Sequence, residues 1–178
     1  MKPTCIALAL SSGLLLAGCG LATNPDPNVG YTMASQYRKG IRTVYLPIWR
    51  RAKDEYRRDI EIRLTEALAK RIEAETPYKI VDKRFADTEL SGTLMEVEQT
   101  VMSFHPGSGM AREIQLRLIV DFTWTDLRTG KPIVEETKFS ATSEYIPPHP
   151  FSEDFFQGSE HAINKLAQRI VERMHEQW

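Results

Sequence analysis

Apolar residues recur along this chain with two different periods, which predict where helices and strands lie. Between residues 55 and 75 they return every three or four positions, the spacing of one buried helix face. This stripe comprises Tyr56, Ile60, Leu64, Ala67, Leu68 and Ile72. Asp54 is placed to cap the start of the helix, and Thr76-Pro77 predicts its end.

A second stripe at helical spacing predicts a helix over residues 153–177. Ser152 can cap it, and the acidic residues Glu153 and Asp154 suit its first turn. The predicted buried face of this helix consists of Phe156, Ile163, Leu166, Ala167, Ile170, Met174 and Trp178.

Alternation with period two predicts strands between these helices, most clearly over residues 113–125. One face of that run carries Ile114, Leu116, Leu118, Val120, Phe122 and Trp124. The run over residues 88–104 changes parity between Leu94 and Val97, which predicts a β-bulge or a two-sided environment. Shorter strands are predicted at residues 41–46, 78–81 and 133–142.

Turn residues separate these runs and set their order. Residues 105–109 predict a hairpin loop, and in the compact turn at residues 126–131 Gly130 can take a positive φ. Three prolines predict a loop over residues 144–152. The resulting β-α-β-β-β-α order predicts an α+β two-layer sandwich, with two amphipathic helices on one face of a mostly antiparallel sheet.

The amino terminus has the pattern of a bacterial lipoprotein signal. Lys2 precedes an apolar run at residues 5–16 that is too short to span a bilayer, and Leu16-Ala17-Gly18-Cys19 forms a lipobox. This resemblance implies cleavage before Cys19 and acylation of its thiol; an ordinary secretory signal cut elsewhere is the alternative. We expect a signal peptide at residues 1–18, a tether at 19–29 and one domain at 30–178.

Composition narrows the possible classes of protein. Removing residues 1–18 from the 178 leaves 160, enough for one domain with a core. With Cys5 in the signal and Cys19 lipidated, no thiol remains for a disulfide or a thiolate metal site. The net charge of −1 argues against a nucleic-acid binder.

The charge is nevertheless unevenly distributed. Residues 38–58 include eight basic side chains against two acidic ones: Arg38, Lys39, Arg42, Arg50, Arg51, Lys53, Arg57 and Arg58 against Asp54 and Glu55. This segment is either an anion-facing patch or a solvated face at the start of the first helix.

No motif for catalysis, a metal or a cofactor is present in the sequence. The four histidines lack metal-ligand spacing, and no G-x-S-x-G elbow occurs. Most aromatic residues fall on buried parities. Trp49 and residues 145–156 lie in predicted loops, which leaves them as potential contact residues.

Several segments together resemble the LPS-assembly lipoprotein LptE family. They are Gly30-Tyr31, residues 40–48 around Pro47, the helix signature from Arg58 to Ile72, residues 87–92 and the turn at residues 126–131. The resemblance spans nearly all of residues 30–178. It implies a lipoprotein without enzymatic activity, placed inside the β-barrel LptD at the outer membrane, that assists lipopolysaccharide on its way to the surface.

A binder of lipopolysaccharide needs Arg or Lys beside apolar surface, since lipid A presents phosphates next to acyl chains. The candidate contacts are Arg50, Arg51, Lys53, Arg112, Arg117, Arg128 and Lys131. Gly20 stands where lipoproteins kept at the inner membrane usually have aspartate, which favours the outer membrane. The alternative is an accessory lipoprotein of a peptidoglycan synthase or a lipid transporter, because such proteins share the strand ending in proline and the D-x-x-T-G turn.

Overall fold

Two helices cover one face of a six-stranded sheet in the computed structural model, which describes residues 37–147 and 155–175. The helices are α1, Ile60–Glu75, and α2, Phe155–Glu172. The predicted signal peptide, Cys19 with its tether, the first-turn residues 152–154 and Trp178 lie outside the described residues.

Three long strands form an antiparallel meander, and three short strands add to it in parallel. The long strands are β4, Thr88–Phe104, β5, Ala111–Asp126, and β6, Pro132–Tyr145. The short strands are β1, Thr43–Tyr45, β2, Arg50–Arg51, and β3, Lys79–Ile80. The sheet order is β3-β1-β4-β5-β6, with β2 paired to β4. The predicted α+β sandwich is confirmed, and β2 is an additional strand.

The core lies between the helices and the inner face of the sheet. Alternate residues of β5 from Leu116 to Trp124 are at most 3% exposed, as the period-two pattern predicts. The helices contribute Ile60, Leu64, Leu68 and Ile72, and Ala162, Ile163, Leu166, Ala167 and Ile170. Burying each large apolar side chain contributes roughly 1.5–3 kcal/mol, so this interface holds the two layers together.

The parity change in β4 is a β-bulge, as predicted. Its register against β5 shifts between Leu94 and Glu96, so that Leu94 and Val97 both face the core. The turn after β5 also follows the prediction, since Gly130 has a φ of 68° and the Asp126 carboxylate accepts the Arg128 N–H at 2.8 Å.

Helix α1 begins later than the apolar spacing predicts. It starts at Ile60, with Asp59 in a left-handed conformation at the N-cap position and without a side-chain cap, so the predicted cap Asp54 is wrong. Tyr56 is 74% exposed and is not part of the core. The reason is that the backbone of this segment bonds to β4, where Ala52 N–H donates to the Leu94 carbonyl at 2.9 Å.

Helix α2 also differs from its predicted bounds and face. Phe156 is 59% exposed and lies outside the core, with its ring centroid 5.8 Å from the Arg63 guanidinium. The helix ends at Glu172, since His175 pairs with Tyr37 in a β-bridge. The end of α1 is as predicted: Thr76 N–H donates to the Ile72 carbonyl at 3.1 Å.

β6 is an edge strand of the sheet, and side chains of α2 cover part of its outer edge. Arg169 donates to the carbonyl of Ser140, and Lys165 Nζ donates to the carbonyl of Thr142 at 2.9 Å. These cations occupy acceptors that another strand would use for pairing. The β6 edge is therefore blocked for strand addition at these two carbonyls.

Candidate functional site

The predicted cationic contacts fall in three separate places. Arg112 and Arg117 lie on β5, Arg128 and Lys131 lie in the turn after β5, and the remaining three lie in or just after β2. Arg112 and Asp126 are fourteen positions apart, which corresponds to about 45 Å at about 3.3 Å per strand residue. One compact ligand cannot contact both ends of β5.

At one end, β4 and β5 extend beyond the rest of the sheet as a hairpin arm, residues 100–113. Among the described residues, β6 pairs with β5 no further toward the arm than Ile114. On the other side, hydrogen bonds from the segment after β2 reach β4 no further than Gln99. The turn is closed by His105 N–H, which donates to the Met110 carbonyl at 2.8 Å. Within the described chain, no strand pairs with the outer edges of the arm.

The hairpin arm exposes several large apolar side chains close together, which is unusual on the surface of a soluble protein. Their exposed fractions are 41% for Val101, 52% for Met102, 61% for Phe104 and 49% for Met110. Arg112 is exposed on the same arm. A cluster of this kind marks an interaction surface, and a cation beside it suits an anionic amphiphile.

A buried carboxylate links β4, at the base of the arm, to the segment before α1. Glu55 is 6% exposed; its Oε2 accepts the Val97 N–H and its Oε1 accepts the Arg57 N–H, both at 2.8 Å. Arg57 donates to the Val97 carbonyl at 2.8 Å and to Gln99 at 3.0 Å. Gln99 in turn donates to the hydroxyl of Tyr145, whose pKa is raised by burial. This network fixes the direction in which the arm leaves the sheet.

Four positions near this part of the sheet differ from the sequence-based interpretation. Glu55 and Arg57 belong to a buried network and not to a solvated helix face. Tyr145 is the last residue of β6 and is 6% exposed, so it is not a loop contact residue. Trp49 is 2% exposed, with its backbone N–H bonded to Thr65 Oγ1 at 3.0 Å, because it fills the space between α1 and β4.

Arg117 is less available for a ligand than Arg112. Its guanidinium lies 3.6 Å from the Glu98 carboxylate and donates to Ser140 Oγ at 3.3 Å. The opposite charge and the hydrogen bond orient Arg117 along the open sheet face.

Arg50 of β2 lies beside acidic side chains. Arg50 lines a groove of about 660 Å³ on the open sheet face. The charged side chains that line this groove are Arg50, Lys83, Glu89, Asp121, Glu135 and Glu136. Carboxylates outnumber cations there, which disfavours an anion. Arg51 has a buried Nη1 without a hydrogen-bond partner in the described chain, and Lys53 is exposed.

At the opposite end of β5 a second basic surface surrounds a cavity of about 390 Å³, here called the basic cavity. Its lining consists of Arg38, Lys39, Ile41, Asp126, Arg128 and Ile133. The Arg128 N–H lowers the pKa of the Asp126 carboxyl that accepts it. Lys131 is exposed in the same turn but does not line the cavity. The sequence placed Arg38 in a basic segment without indicating this cavity.

The match to known families covers the whole of this architecture. The model of the LptE family, described as lipopolysaccharide-assembly, matches residues 41–178. The chain belongs to the LptE family. That stretch contains all six strands and both helices of the sandwich, and with them the hairpin arm.

Solved structures share the fold of this LptE-family chain at low sequence identity. A hypothetical protein from Chlamydia trachomatis has a TM-score of 0.57 and 10% identity, with 75% of this chain and 95% of that chain covered. An uncharacterized lipoprotein B from Nitrosomonas europaea has a TM-score of 0.52 and 14% identity, with 83% and 91% covered. No curated protein sequence matches the chain.

Over residues 37–147 and 155–175, no three His, Cys, Asp or Glu side chains are grouped closely enough to bind a metal ion. Neither described helix has the length and apolar character that crossing a membrane requires.

Proposed function

We propose that this LptE-family protein is a lipoprotein of the outer membrane that assists lipopolysaccharide on its way to the cell surface. It acts by binding and assembly and catalyses no reaction. Its protein partner is a large β-barrel of the LptD type. The family match over residues 41–178 is the observation that supports this role most strongly.

The hairpin arm is the surface proposed to contact lipopolysaccharide. Val101, Met102, Phe104 and Met110 offer exposed apolar area to acyl chains. Arg112 follows the turn, where its guanidinium can bind a lipid A phosphate through two N–H groups. The network around Glu55 keeps the arm extended, so the apolar side chains stay in place before the ligand arrives.

The anchor in this proposal is an acylated Cys19. Several acyl chains on one cysteine hold a protein firmly, at about 0.8 kcal/mol per buried methylene. Tyr37 lies eighteen residues after Cys19 in the sequence. A chain of that length reaches at most about 60 Å, so the domain stays close to the membrane while the arm meets its ligand.

Affinity capture and depletion test this proposal together. The full-length chain, tagged at its carboxyl terminus, is expected to co-purify with a large β-barrel, and its depletion is expected to lower surface lipopolysaccharide. A Cys19→Ser chain controls for the anchor and should fail to restore the surface lipopolysaccharide. Recovery of a peptidoglycan synthase or a lipid transporter, with surface lipopolysaccharide unchanged, would contradict the proposal and favour the alternative role.

A further inference from the structure

The basic cavity lies at the end of the sheet where the described chain begins. Val44 of β1 pairs with Thr88, and Thr88 pairs with Asp126, which places the start of the chain beside the turn after β5. Tyr37 is fixed there, because its hydroxyl donates to the Glu75 carbonyl at 2.5 Å. We call this the anchor-side end; the hairpin arm leaves the opposite end, about 45 Å away along β5.

Arg38 is held at the cavity with unused hydrogen-bonding capacity. Its backbone N–H donates to the Tyr78 hydroxyl at 3.2 Å, and its guanidinium lies 6.0 Å from the Trp124 ring centroid. Its Nε is buried and has no hydrogen-bond partner in the described chain. A buried donor without an acceptor destabilises the protein, and an anion bound in the cavity would supply that acceptor.

The charges around the basic cavity favour an anion. Arg38, Lys39 and Arg128 line it together with the single carboxylate of Asp126. A second carboxylate, Asp87, is close enough to Arg128 for that charge to help lower its pKa. Its Oδ2 already accepts three hydrogen bonds, from the N–H groups of Arg42 and Thr43 and the Thr43 hydroxyl, at 2.9 to 3.1 Å. Asp126 likewise holds Arg128, which leaves Arg38 and Lys39 without an ion pair in the described chain.

The apolar part of the lining indicates what kind of anion fits. Ile41 and Ile133 line the cavity beside the three cations. A free inorganic anion gains nothing from such side chains, whereas the phosphate of an amphiphile carries glycerol and acyl carbons next to its charge. Among the described residues, this cavity of cations and apolar side chains lies at the anchor-side end, and it shares no residue with the hairpin arm.

We propose that the basic cavity binds the head-group phosphate of a glycerophospholipid in the leaflet that holds the lipid anchor. This inference rests on the proposed anchor at Cys19, which keeps the anchor-side end within reach of that leaflet. A phosphate bound by Arg38, Lys39 and Arg128 seats this end of the sheet on the membrane.

Paramagnetic broadening tests the proposal on the full, acylated protein. The protein is reconstituted in nanodiscs of phosphatidylcholine with increasing phosphatidylglycerol, with a spin label on the lipid head groups. We expect the Nε–H resonances of Arg38 and Arg128 to shift and broaden as phosphatidylglycerol increases, and the Nε–H of Arg112 to stay sharp. In the variant Lys39→Gln/Arg128→Gln, the half-maximal shift of the Arg38 Nε–H resonance should require on the order of tenfold more phosphatidylglycerol.

A matched pair of substitutions removes the same charge elsewhere. Arg58→Gln/Lys70→Gln, at two exposed positions outside the basic cavity and the hairpin arm, should leave the Arg38 response unchanged. Equal loss in both double variants would show a general charge effect and overturn the proposal. A shift caused by inorganic phosphate without broadening by the lipid label would assign the site to free phosphate and also overturn it, as would no shift with either ligand. Failure of the anchor itself is distinguishable, because an unacylated chain would not co-elute with the nanodiscs.

Discussion

Gly92 of β4 lies against the ring of Trp49 with no room for a side chain. A Cβ atom built at Gly92 would lie 2.6 Å from Cζ3 of the indole, well inside the contact distance of two carbon atoms. The indole is held there by the Trp49 backbone N–H, which donates to Thr65 of α1, and by stacking on Phe122, whose ring centroid is 6.3 Å away. Because Gly92 has no side chain, Trp49 can pack against β4 and hold α1 in its position.

We expect Gly92→Ala to destabilise the fold. Alanine in a strand is ordinarily better than glycine by roughly 0.5–1 kcal/mol. Here the added methyl must displace the indole, and overpacking of a core costs about 1–3 kcal/mol. Urea unfolding measures the difference, with Ser91→Ala on the open sheet face as the neighbouring control. Equal or greater stability of Gly92→Ala would show that Trp49 can move freely.

The buried Glu55 carboxylate supports the base of the hairpin arm. Glu55→Ala leaves the Val97 N–H without its acceptor and Arg57 without its ion partner, which we expect to cost about 3 kcal/mol. Glu55→Gln keeps an acceptor and should cost less. Glu66→Ala, on the exposed face of α1, serves as the control and should change the free energy of unfolding by less than about 0.5 kcal/mol. A Glu55→Ala protein as stable as this control would contradict the bridging role.

Asp87 makes the free energy of unfolding depend on pH in the acidic range. The Arg42 N–H, together with the Thr43 N–H and hydroxyl, lowers the pKa of this carboxyl in the folded state. Its stabilising contribution is therefore complete above the unfolded pKa of about 3.9 and is lost as the pH falls through the lower folded value. Asp87→Asn should show a smaller loss of stability between about pH 5 and pH 2 than the unmodified protein. Thr43→Val removes one donor and should give an intermediate slope; identical slopes in all three proteins would refute the assignment.

The apolar residues of the hairpin arm should affect binding without affecting folding. Met102→Ser/Phe104→Ser changes side chains that are 52% and 61% exposed, so the stability change should stay near 0.5 kcal/mol. Loss of their contact with acyl chains should weaken lipopolysaccharide binding about tenfold or more. Phe85→Ser, which changes a side chain 70% exposed away from the arm, is the control and should bind normally. Unchanged binding by the double variant would exclude the arm as the lipid contact.

The layer architecture could be predicted because one face of each long element is buried. Along β5 every second residue from Leu116 to Trp124 is buried in the core, so apolar and polar residues alternate in the sequence as buried and exposed positions alternate in the structure. The start of α1 could not be predicted this way. Tyr56 has the right spacing, yet hydrogen bonds between its neighbours and β4 hold the backbone out of the helix, and such bonds leave no periodic trace.

The candidate site was predictable in its chemistry but not in its placement. Basic residues beside apolar ones were visible in the sequence, but the long strands put Arg112 and Arg128 at opposite ends of the sheet. Arg38 reaches the basic cavity only because β1 pairs beside β4 and Trp124 lies beneath the guanidinium. These contacts join segments far apart in the chain, which no local pattern reports.

Photo-crosslinking in cells tests the central claim, that this protein contacts lipopolysaccharide through the hairpin arm during assembly at the outer membrane. A photoreactive residue replaces Phe104 in the full-length chain, and a second chain carries it at Phe85. The account predicts that illumination links lipopolysaccharide to position 104 and not to position 85, and that the same preparation contains a large β-barrel. Equal labelling at both positions, or no lipopolysaccharide at position 104, would contradict it.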